Sequence, residues 1–384
     1  MRVAIVGGKL QGVEASYLAL SLGWKVLLID RDSNTPAQGL CHSFHQCDVI
    51  RKSAELKKSL KEVDLIVPAT ENVSALRYLR ECAESMDVPF AFDEKAYFLS
   101  RSKLRSNHFF GRIGIPTPRS WPQCGLPVMV KPSTSSGSHG VRKLSTQKEM
   151  ADFLGTFQSK SHPWVIQEYL EGPSYSLEVF GKENCYEVIQ VTELEMDDQY
   201  DCKRVLAPSG ISDSLEKQFK QIGIAIARNL RLTGIMDVEV ILHDGKLKVL
   251  EIDARLPSQT PTAVLKSTGI NMLDLLRKIF VENSLPSITD PKEIKGVVYE
   301  HLRVSEKTVE VLGENILRDS GPLRVVDNFF GADVAITDFN PSRSSWVSTL
   351  IVTAENRKQA WLKRCHVIDR ILKHVGKASS QKMC

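Results

Sequence analysis

Four carboxylates on two neighbouring strands of one short stretch set the chemistry open to this chain. Residues 234–262 read GIMDVEVILHDGKLKVLEIDARLPSQTPT. MDVEVIL and LKVLEID alternate as strands do, and His243-Asp244-Gly245 supplies the turn between them, because glycine accepts the positive φ that a tight hairpin needs. Asp237 and Glu239 then share a face of the first strand, and Glu251 and Asp253 share a face of the second, since side chains two apart point the same way. Arg255 continues the spacing. Facing acids repel unless a cation lies between them, and oxygen ligands at this density suit Mg²⁺ holding a polyphosphate. The competing reading is a solvated acidic face. Against it, the acids sit among Val, Ile, Leu and Met, which implies partial burial, where unpaired charge is expensive.

Positive groups stand earlier in the chain. Pro127–Lys131 reads as a buried strand ending in a lysine, followed by the small, donor-rich loop PSTSSGSHG (132–140). The backbone N–H groups of such a loop can lie over phosphates; a plain flexible hairpin loop is the alternative. No GK[ST] follows, so this is not a Walker A loop. From Asp93 the chain turns helical, with Lys103 and Arg105 on the helix leading to Gly111, and GIPTP at 114–118 stops it. Lys103 and Lys131 are both placed to neutralise phosphates. The strand Trp164–Leu170 offers the backbone of Gln167–Leu170 to an adenine edge, and Tyr175–Phe180 carries Ser176 and Glu178 on one face. Together these parts supply the positioning and electrostatic stabilisation that phosphoryl transfer needs.

The elements that must hold them begin with a βαβ unit: strand Arg2–Val6, glycines at 7, 8 and 12, a helix through Leu22, and strand Trp24–Asp30. The middle glycine of a dinucleotide fingerprint is replaced by Lys9, which crowds a pyrophosphate but attracts other anions. Asp64–Pro68 is a third strand. In the loop after it, Glu71 reads equally as a ligand-crevice residue and as an acid of the following helix N-terminus. Pro89–Phe92 reads as the last strand of this region. Helices are expected at Gln147–Phe157, Ser212–Leu230, Asn271–Val281 and Asn356–His374, with strands from Lys295 and a frayed polar tail at Gly376–Cys384. The run CHSFHQC (41–47) offers four soft ligands but no second arm, so a connector between helix and strand is expected there, not zinc.

A chain of 384 residues predicts two or three domains, and 25% charged with 42% hydrophobic residues is an ordinary globular balance. A net charge of +4 gives no nucleic-acid or membrane footprint. The first residues form a strand, not a signal peptide, and no apolar run is long enough to span a bilayer. The eight cysteines are scattered without a CxxC pair, which fits a reduced cytoplasm.

The order of these parts resembles the ATP-grasp carboxylate–amine ligases. The match is carried by Lys103 ahead of GIPTP, by Lys131-Pro132 with its Ser/Gly loop, by Gln167-Glu168-Tyr169-Leu170, and by Glu239 with Glu251-Ile252-Asp253-Ala254-Arg255. The resemblance implies an α/β chain, α+β in its later part. A parallel-sheet βαβ domain (1–93) would precede an ATP-grasp domain (94–190) with a nucleotide lid at about 127–190, and a segment 191–384 would carry the metal hairpin. Two positions depart from the pattern: Asp253 stands where Asn is usual, and Ser174 where a ribose-binding carboxylate often stands, a contact assigned instead to Asp30. The strings GGKLQG, YDC at 200–202 and GIMDVE…EIDARLPSQTPT are similar to the pyrrolysine-biosynthesis branch of that family. That branch joins 3-methyl-D-ornithine to the ε-amine of L-lysine through an acyl phosphate.

The resemblance implies ATP and two Mg²⁺. ATP falls to Lys9, Asp30, Lys103, Lys131, Ser138, Gln167, Glu168, Tyr169 and Leu170, with Lys131 and Arg255 stabilising the transferred phosphoryl group. Metal falls to Glu239, Glu251 and Asp253. The diamino substrates fall to Gln11, Glu71, Ser176, Glu178, Asp237, Ser258, Gln259 and Thr260. A D-alanine–D-alanine type of ligase is an alternative that the extra acids disfavour. A nicotinamide-dependent dehydrogenase is disfavoured by Lys9 and leaves Lys131 and Glu251 unexplained. A non-catalytic nucleotide-binding regulator has no need of paired metal acids.

Overall fold

The computed structural model describes residues 1–157, 163–285, 288, 291 and 293–376. The tail expected to fray lies, beyond Gly376, outside the described residues. Contacts divide the chain into one unit of residues 1–92, 202–209 and 256–384, and another of 93–201 and 210–255.

In the first unit, RVAIV at Arg2–Val6 pairs in parallel with Lys25–Asp30 on one side and Leu65–Pro68 on the other. All three are continuous apolar runs, as strands covered on both faces must be. Gly7 turns the chain out of the first strand at φ +116°, where a Cβ would lie 2.1 Å from the Ala69 carbonyl oxygen, so only glycine fits. The helix Leu10–Ser21 follows. Ser43–Gln46 is a parallel edge strand beside Lys25–Asp30, where a plain connector was expected. Its flanking soft ligands have separate partners: His42 Nδ1 accepts the Val26 N–H, His45 Nδ1 meets the Ser59 hydroxyl, and Cys41 donates to the Gln38 carbonyl. Pro89–Phe92 is not a strand. It contributes a single bridge, Phe90 to Ile66, because Asp93 caps a helix immediately after it.

The rest of this unit is antiparallel. Gly296–Ser305 lies between Cys202–Ala207 and Ser345–Ala354, followed outward by Val334–Thr337 and Arg324–Asp327. Helix Arg357–His374 covers the sheet through Val367, Ile368 and Ile371. The fully buried Glu300 is held by Arg204 (2.8 Å) and Arg364 (2.6 Å). One acid gripped by two guanidiniums ties that helix to the strands, and losing either partner would strand a buried charge.

The second unit is built on four antiparallel strands in the order Lys246–Asp253, Gly234–His243, Ser174–Lys182, Cys185–Met196. Leu177, Val179, Met236, Val238 and Val240 bury one face against Phe219 and Ile226 of helix Asp213–Leu230. The opposite face carries the polar positions. A smaller sheet of Arg142–Leu144, Val128–Pro132 and Trp164–Glu168, with helix Gln147–Phe157, has a separate core of Val128, Val130, Met150 and Phe153. The helical run after Asp93 is two helices, Glu94–Ser100 and Lys103–Ile113. Ser102 breaks them apart because its hydroxyl caps the second, accepting the Arg105 N–H. Among the described residues, no helix is long and apolar enough to cross a membrane.

Candidate active site

The hairpin of Gly234–His243 and Lys246–Asp253 turns at Asp244 (φ 48°) and Gly245 (φ 71°), the left-handed pair a two-residue turn requires. The strands pair with Asp237 opposite Asp253 and Glu239 opposite Glu251. One detail of the sequence makes this register work. Leu247 and Val249 face the core, but so does Ile252, so the alternation changes phase at Leu250. The structure has a β-bulge there: Glu239 pairs with Glu251, while the next residue, Val240, pairs with Val249. The extra residue swings Glu251 and Asp253 off the core face, the re-aiming that bulges provide beside active sites.

The neighbouring strand extends both rows. Glu178 lies opposite Asp237, and Ser176 opposite Glu239. The polar face therefore carries one row of Glu178, Asp237 and Asp253, and a second of Ser176, Glu239 and Glu251. The rows have different counter-charges. In the second, Lys103 Nζ is 2.8 Å from Glu251. Burial works against ionisation of Glu251, yet Lys103 and Lys131 hold its carboxyl below the usual range. Glu239 is pushed up to about 8 by burial and by the neighbouring Glu251 charge, against Lys131 and Lys103. Lys131 is itself lowered by burial, in part offset by Glu251. In the first row, Arg255 Nη2 pairs with Asp253 at 2.7 Å. Asp237, buried beside Asp253 and Glu239, is raised well above the ordinary carboxyl range. This row sets three acids side by side, and a bound cation would favour their ionised form.

The lysines are placed by the helix cap. The Lys103 N–H donates to the Ser133 carbonyl (2.8 Å), the Ser133 hydroxyl accepts the Leu104 N–H (3.3 Å), and Lys103 Nζ reaches the Ser135 carbonyl (2.8 Å). The helix N-terminus is thus stitched to the Ser/Gly loop that ends the Lys131 strand. Lys103, Lys131, Ser138, Tyr169, Glu239 and Glu251 line one cavity of about 320 Å³, the size of a small-ligand site. Gln167, Glu168 and Leu170 line it too, as do Tyr200 of the YDC string and Leu250 and Met196, which sequence reasoning did not single out. The phase change at Leu250 was the available signal for one of these.

Glu168 plays a part that the sequence concealed. Its carboxylate takes the Lys248 ammonium, the Arg119 guanidinium (2.7 Å) and the Arg119 N–H (2.9 Å). Burial opposes its ionisation, but these donors hold the carboxyl down to about 2. The folded pKa lies below the unfolded 4.5, so the stabilisation is present above pH 4.5 and is lost as pH falls from there toward 2. The Glu168 and Tyr169 N–H groups are also engaged, by the carbonyls of Arg119 and Pro127. Glu168→Gln is expected to raise the KM for ATP about tenfold, roughly 1.4 kcal/mol, and to flatten the acid limb of thermal stability. Steady-state kinetics and melting between pH 3 and 7 check both.

The remaining expected site residues belong to the first unit. Asp30 Oδ2 accepts the Gly8 N–H (2.6 Å) and its Oδ1 the Asp32 N–H (2.9 Å), so this carboxylate closes its own loop. Lys9 is the cap residue of helix Leu10–Ser21. Glu71 precedes the Asn72 cap and is not in the first turn of that helix, so it stands in the loop and is not one of the helix's first-turn acids. Gln11 Nε2 donates to the Leu256 carbonyl (3.2 Å). Gln259 sits at φ 70°, ψ −61°, a costly backbone state for a side-chain-bearing residue. Ser258 accepts the Thr260 N–H on its carbonyl. The side-chain oxygens Oε1 of Gln259 and Oγ1 of Thr260 are buried without a hydrogen-bond partner among the described residues. Glu14, unnoticed in the sequence, accepts the Thr262 N–H (2.6 Å) behind that turn, and burial lifts its carboxyl to about 7.

Opposed acids on a hairpin, two lysines and a small-residue loop around one cavity define an ATP-grasp ligase, an ATP-dependent carboxylate–amine ligase. The ATP-grasp domain family matches residues 100–259. The chain belongs to the family of 3-methyl-D-ornithine–L-lysine ligases. It is 38% identical to that ligase of Methanosarcina mazei over 82% of this chain and 81% of the relative, and 34% identical to that of Methanosarcina barkeri over 97% and 98%. Among solved structures, the biotin carboxylase domain of Hydrogenobacter thermophilus 2-oxoglutarate carboxylase, in complex with MgADP, superposes with a TM-score of 0.74 at 13% identity, covering 96% of this chain and 89% of that one. The Staphylococcus aureus N5-carboxyaminoimidazole synthetase with ADP gives 0.69 at 18% identity, covering 95% and 96%. At these identities the likeness speaks to the fold alone.

Proposed function

We propose that this enzyme joins 3-methyl-D-ornithine to the ε-amine of L-lysine, consuming ATP, to give 3-methyl-D-ornithyl-N6-L-lysine in pyrrolysine biosynthesis. The single observation that carries this reading is the pair of acid rows, one set against two lysines at the cavity and the other a run of three acids, Glu178, Asp237 and Asp253.

ATP enters the cavity with its adenine edge against the linker at Leu170, since the amides of Glu168 and Tyr169 are already bonded, and its phosphates under the Ser/Gly loop. Glu239 and Glu251 supply hard oxygen donors about a common axis, and two such acids with phosphate oxygens suit Mg²⁺. Asp253, in the neighbouring row and paired with Arg255 at 2.7 Å, is proposed as a further ligand, and two ions are proposed. When bound, Mg²⁺ screens the phosphate charge and orients the terminal phosphate. Lys131 and Arg255 then stabilise charge on the transferred group. A substrate carboxylate oxygen attacks the γ-phosphorus, ADP leaves, the lysine ε-amine attacks the resulting carbonyl carbon, and phosphate departs. No protein nucleophile is needed.

Both substrates carry extra ammonium groups, and the acid row of Glu178 and Asp237, with Ser176 beside it, receives one of them. In the first unit, Gln11, Glu71, Ser258, Gln259 and Thr260 offer carbonyl, carboxylate and hydroxyl groups for the second substrate. Lys9, with Asp30 bonded in its own loop, serves there as a positive charge for an anionic group. The sheet of residues 128–168, having its own core, closes as a lid that keeps water from the acyl phosphate. Free thiols and the need for ATP fit a cytoplasmic enzyme.

ADP release is expected only when both a D-configured 2,5-diamino acid and lysine are present, with mass spectrometry finding their amide. ADP release with D-alanine alone would move the enzyme to a different ligase type.

A further inference from the structure

The turn Asp197–Asp201, part of the YDC string, has no role in the reading above. It is tightly built: Asp197 Oδ1 accepts the N–H groups of Gln199 (2.8 Å) and Asp201 (3.0 Å), and the Tyr200 N–H donates to the Asp197 carbonyl (3.0 Å). Tyr200 is held at φ 63°, a left-handed conformation that an aromatic residue adopts only when its surroundings impose it. Ser138, in the Ser/Gly loop, is also left-handed, at φ 56°. These two unusual residues are bonded to each other: the Ser138 hydroxyl donates to the Tyr200 carbonyl. The Tyr200 phenol faces that of Tyr169 on the linker, whose ring in turn carries the Lys143 ammonium 3.7 Å from its centroid. Tyr200, Ser138 and Tyr169 all line the 320 Å³ cavity.

We propose that Tyr200 is a nucleotide-positioning residue. Its carbonyl fixes the Ser/Gly loop through Ser138, and its phenol, set against Tyr169, closes the cavity mouth over the ribose and phosphates of ATP. The inference rests on the nucleotide reading of this cavity. Two strained residues from segments sixty positions apart, joined over a cavity by one hydrogen bond, form a clasp between the small sheet and the large one. With the clasp shut, the loop amides are preorganised toward phosphate oxygens, which lowers the entropy lost on binding. It acts on nucleotide affinity and leaves the amino-acid sites alone.

Three variants separate the parts. Ser138→Ala removes the hydroxyl, Tyr200→Phe removes the phenol oxygen, and Tyr200→Gly removes the ring while easing the positive φ and keeping the carbonyl. MgADP affinity is measured by calorimetry on the full chain, alongside the KM values for ATP and lysine and the thermal midpoint. All three variants are expected to weaken MgADP binding and raise the ATP KM about tenfold, with the lysine KM unchanged and Tyr200→Gly no less stable than the parent. Parent-like MgADP binding by Ser138→Ala and Tyr200→Phe overturns the clasp, and so do equal losses for ATP and lysine. A parent protein that binds no MgADP overturns the nucleotide reading, and the clasp with it.

Discussion

Glu251→Gln is expected to lower ADP release by at least about a thousandfold, roughly 4 kcal/mol of transition-state stabilisation, while the protein stays folded. The substitution keeps the side chain's shape and removes one charge. That charge is paired to Lys103 at 2.8 Å and faces Glu239 across the hairpin. Without it, two lysines confront a single acid whose ionisation burial already disfavours. If Glu251 is the metal ligand proposed above, metal affinity falls twice over, through the lost ligand and through the excess positive charge left beside it. Near-ultraviolet circular dichroism checks the fold, and coupled ADP release checks the rate. Turnover at the parental rate would remove Glu251 from the metal site.

The second large effect is a trade between stability and binding. Asp237 has its carboxyl raised by burial, by Asp253 and by Glu239. An acid whose folded pKa exceeds its unfolded value costs stability as pH rises from 3.8 toward the folded pKa, and the loss persists above it. Asp237→Asn removes that cost, so the empty variant should melt several degrees higher than the parent at pH 8 and no higher near pH 4. The same change deletes a charge from the row proposed to hold an ammonium. The KM for the diamino acid is expected to rise about a hundredfold, roughly 2.7 kcal/mol, with the KM for ATP within about twofold. Melting against pH and two-substrate kinetics test both halves. An unchanged diamino-acid dependence would show that Asp237 holds no amine.

These effects rest on features that the sequence exposed unevenly. The hairpin was legible because Asp244-Gly245 and the i, i+2 acids obey local rules; the turn sets the register as far as Val240 opposite Val249, and the bulge at Leu250 then brings Glu239 opposite Glu251. The helix at Asp213–Leu230 was legible from its period. The strands Cys185–Met196 and Cys202–Ala207 are not expected from the sequence: CYEVIQVTELEM has several β-branched residues, but Glu187, Glu193 and Glu195 interrupt its apolar alternation. Ser43–Gln46 pairs only along one edge and carries His and Gln, so its strand character comes from its partner and not from its own pattern. Residues at long range were the least visible. The pairing of Glu168 with Lys248, eighty positions away, and the support of Thr262 by Glu14 depend on tertiary folding. Asp30 looked like a ligand-binding strand-tip acid and proved to be bonded to Gly8 and Asp32. The Leu250 bulge was written in the sequence as a phase change within LKVLEID, a signal that strict alternation would have forbidden.

The measurement that bears most directly on the account follows oxygen. With both carboxylate oxygens of 3-methyl-D-ornithine replaced by ¹⁸O, the enzyme, ATP, Mg²⁺ and L-lysine should release phosphate carrying one ¹⁸O, the other remaining in the amide product. Phosphate free of label, with amide formation undiminished, would contradict transfer of the terminal phosphate to the substrate carboxyl.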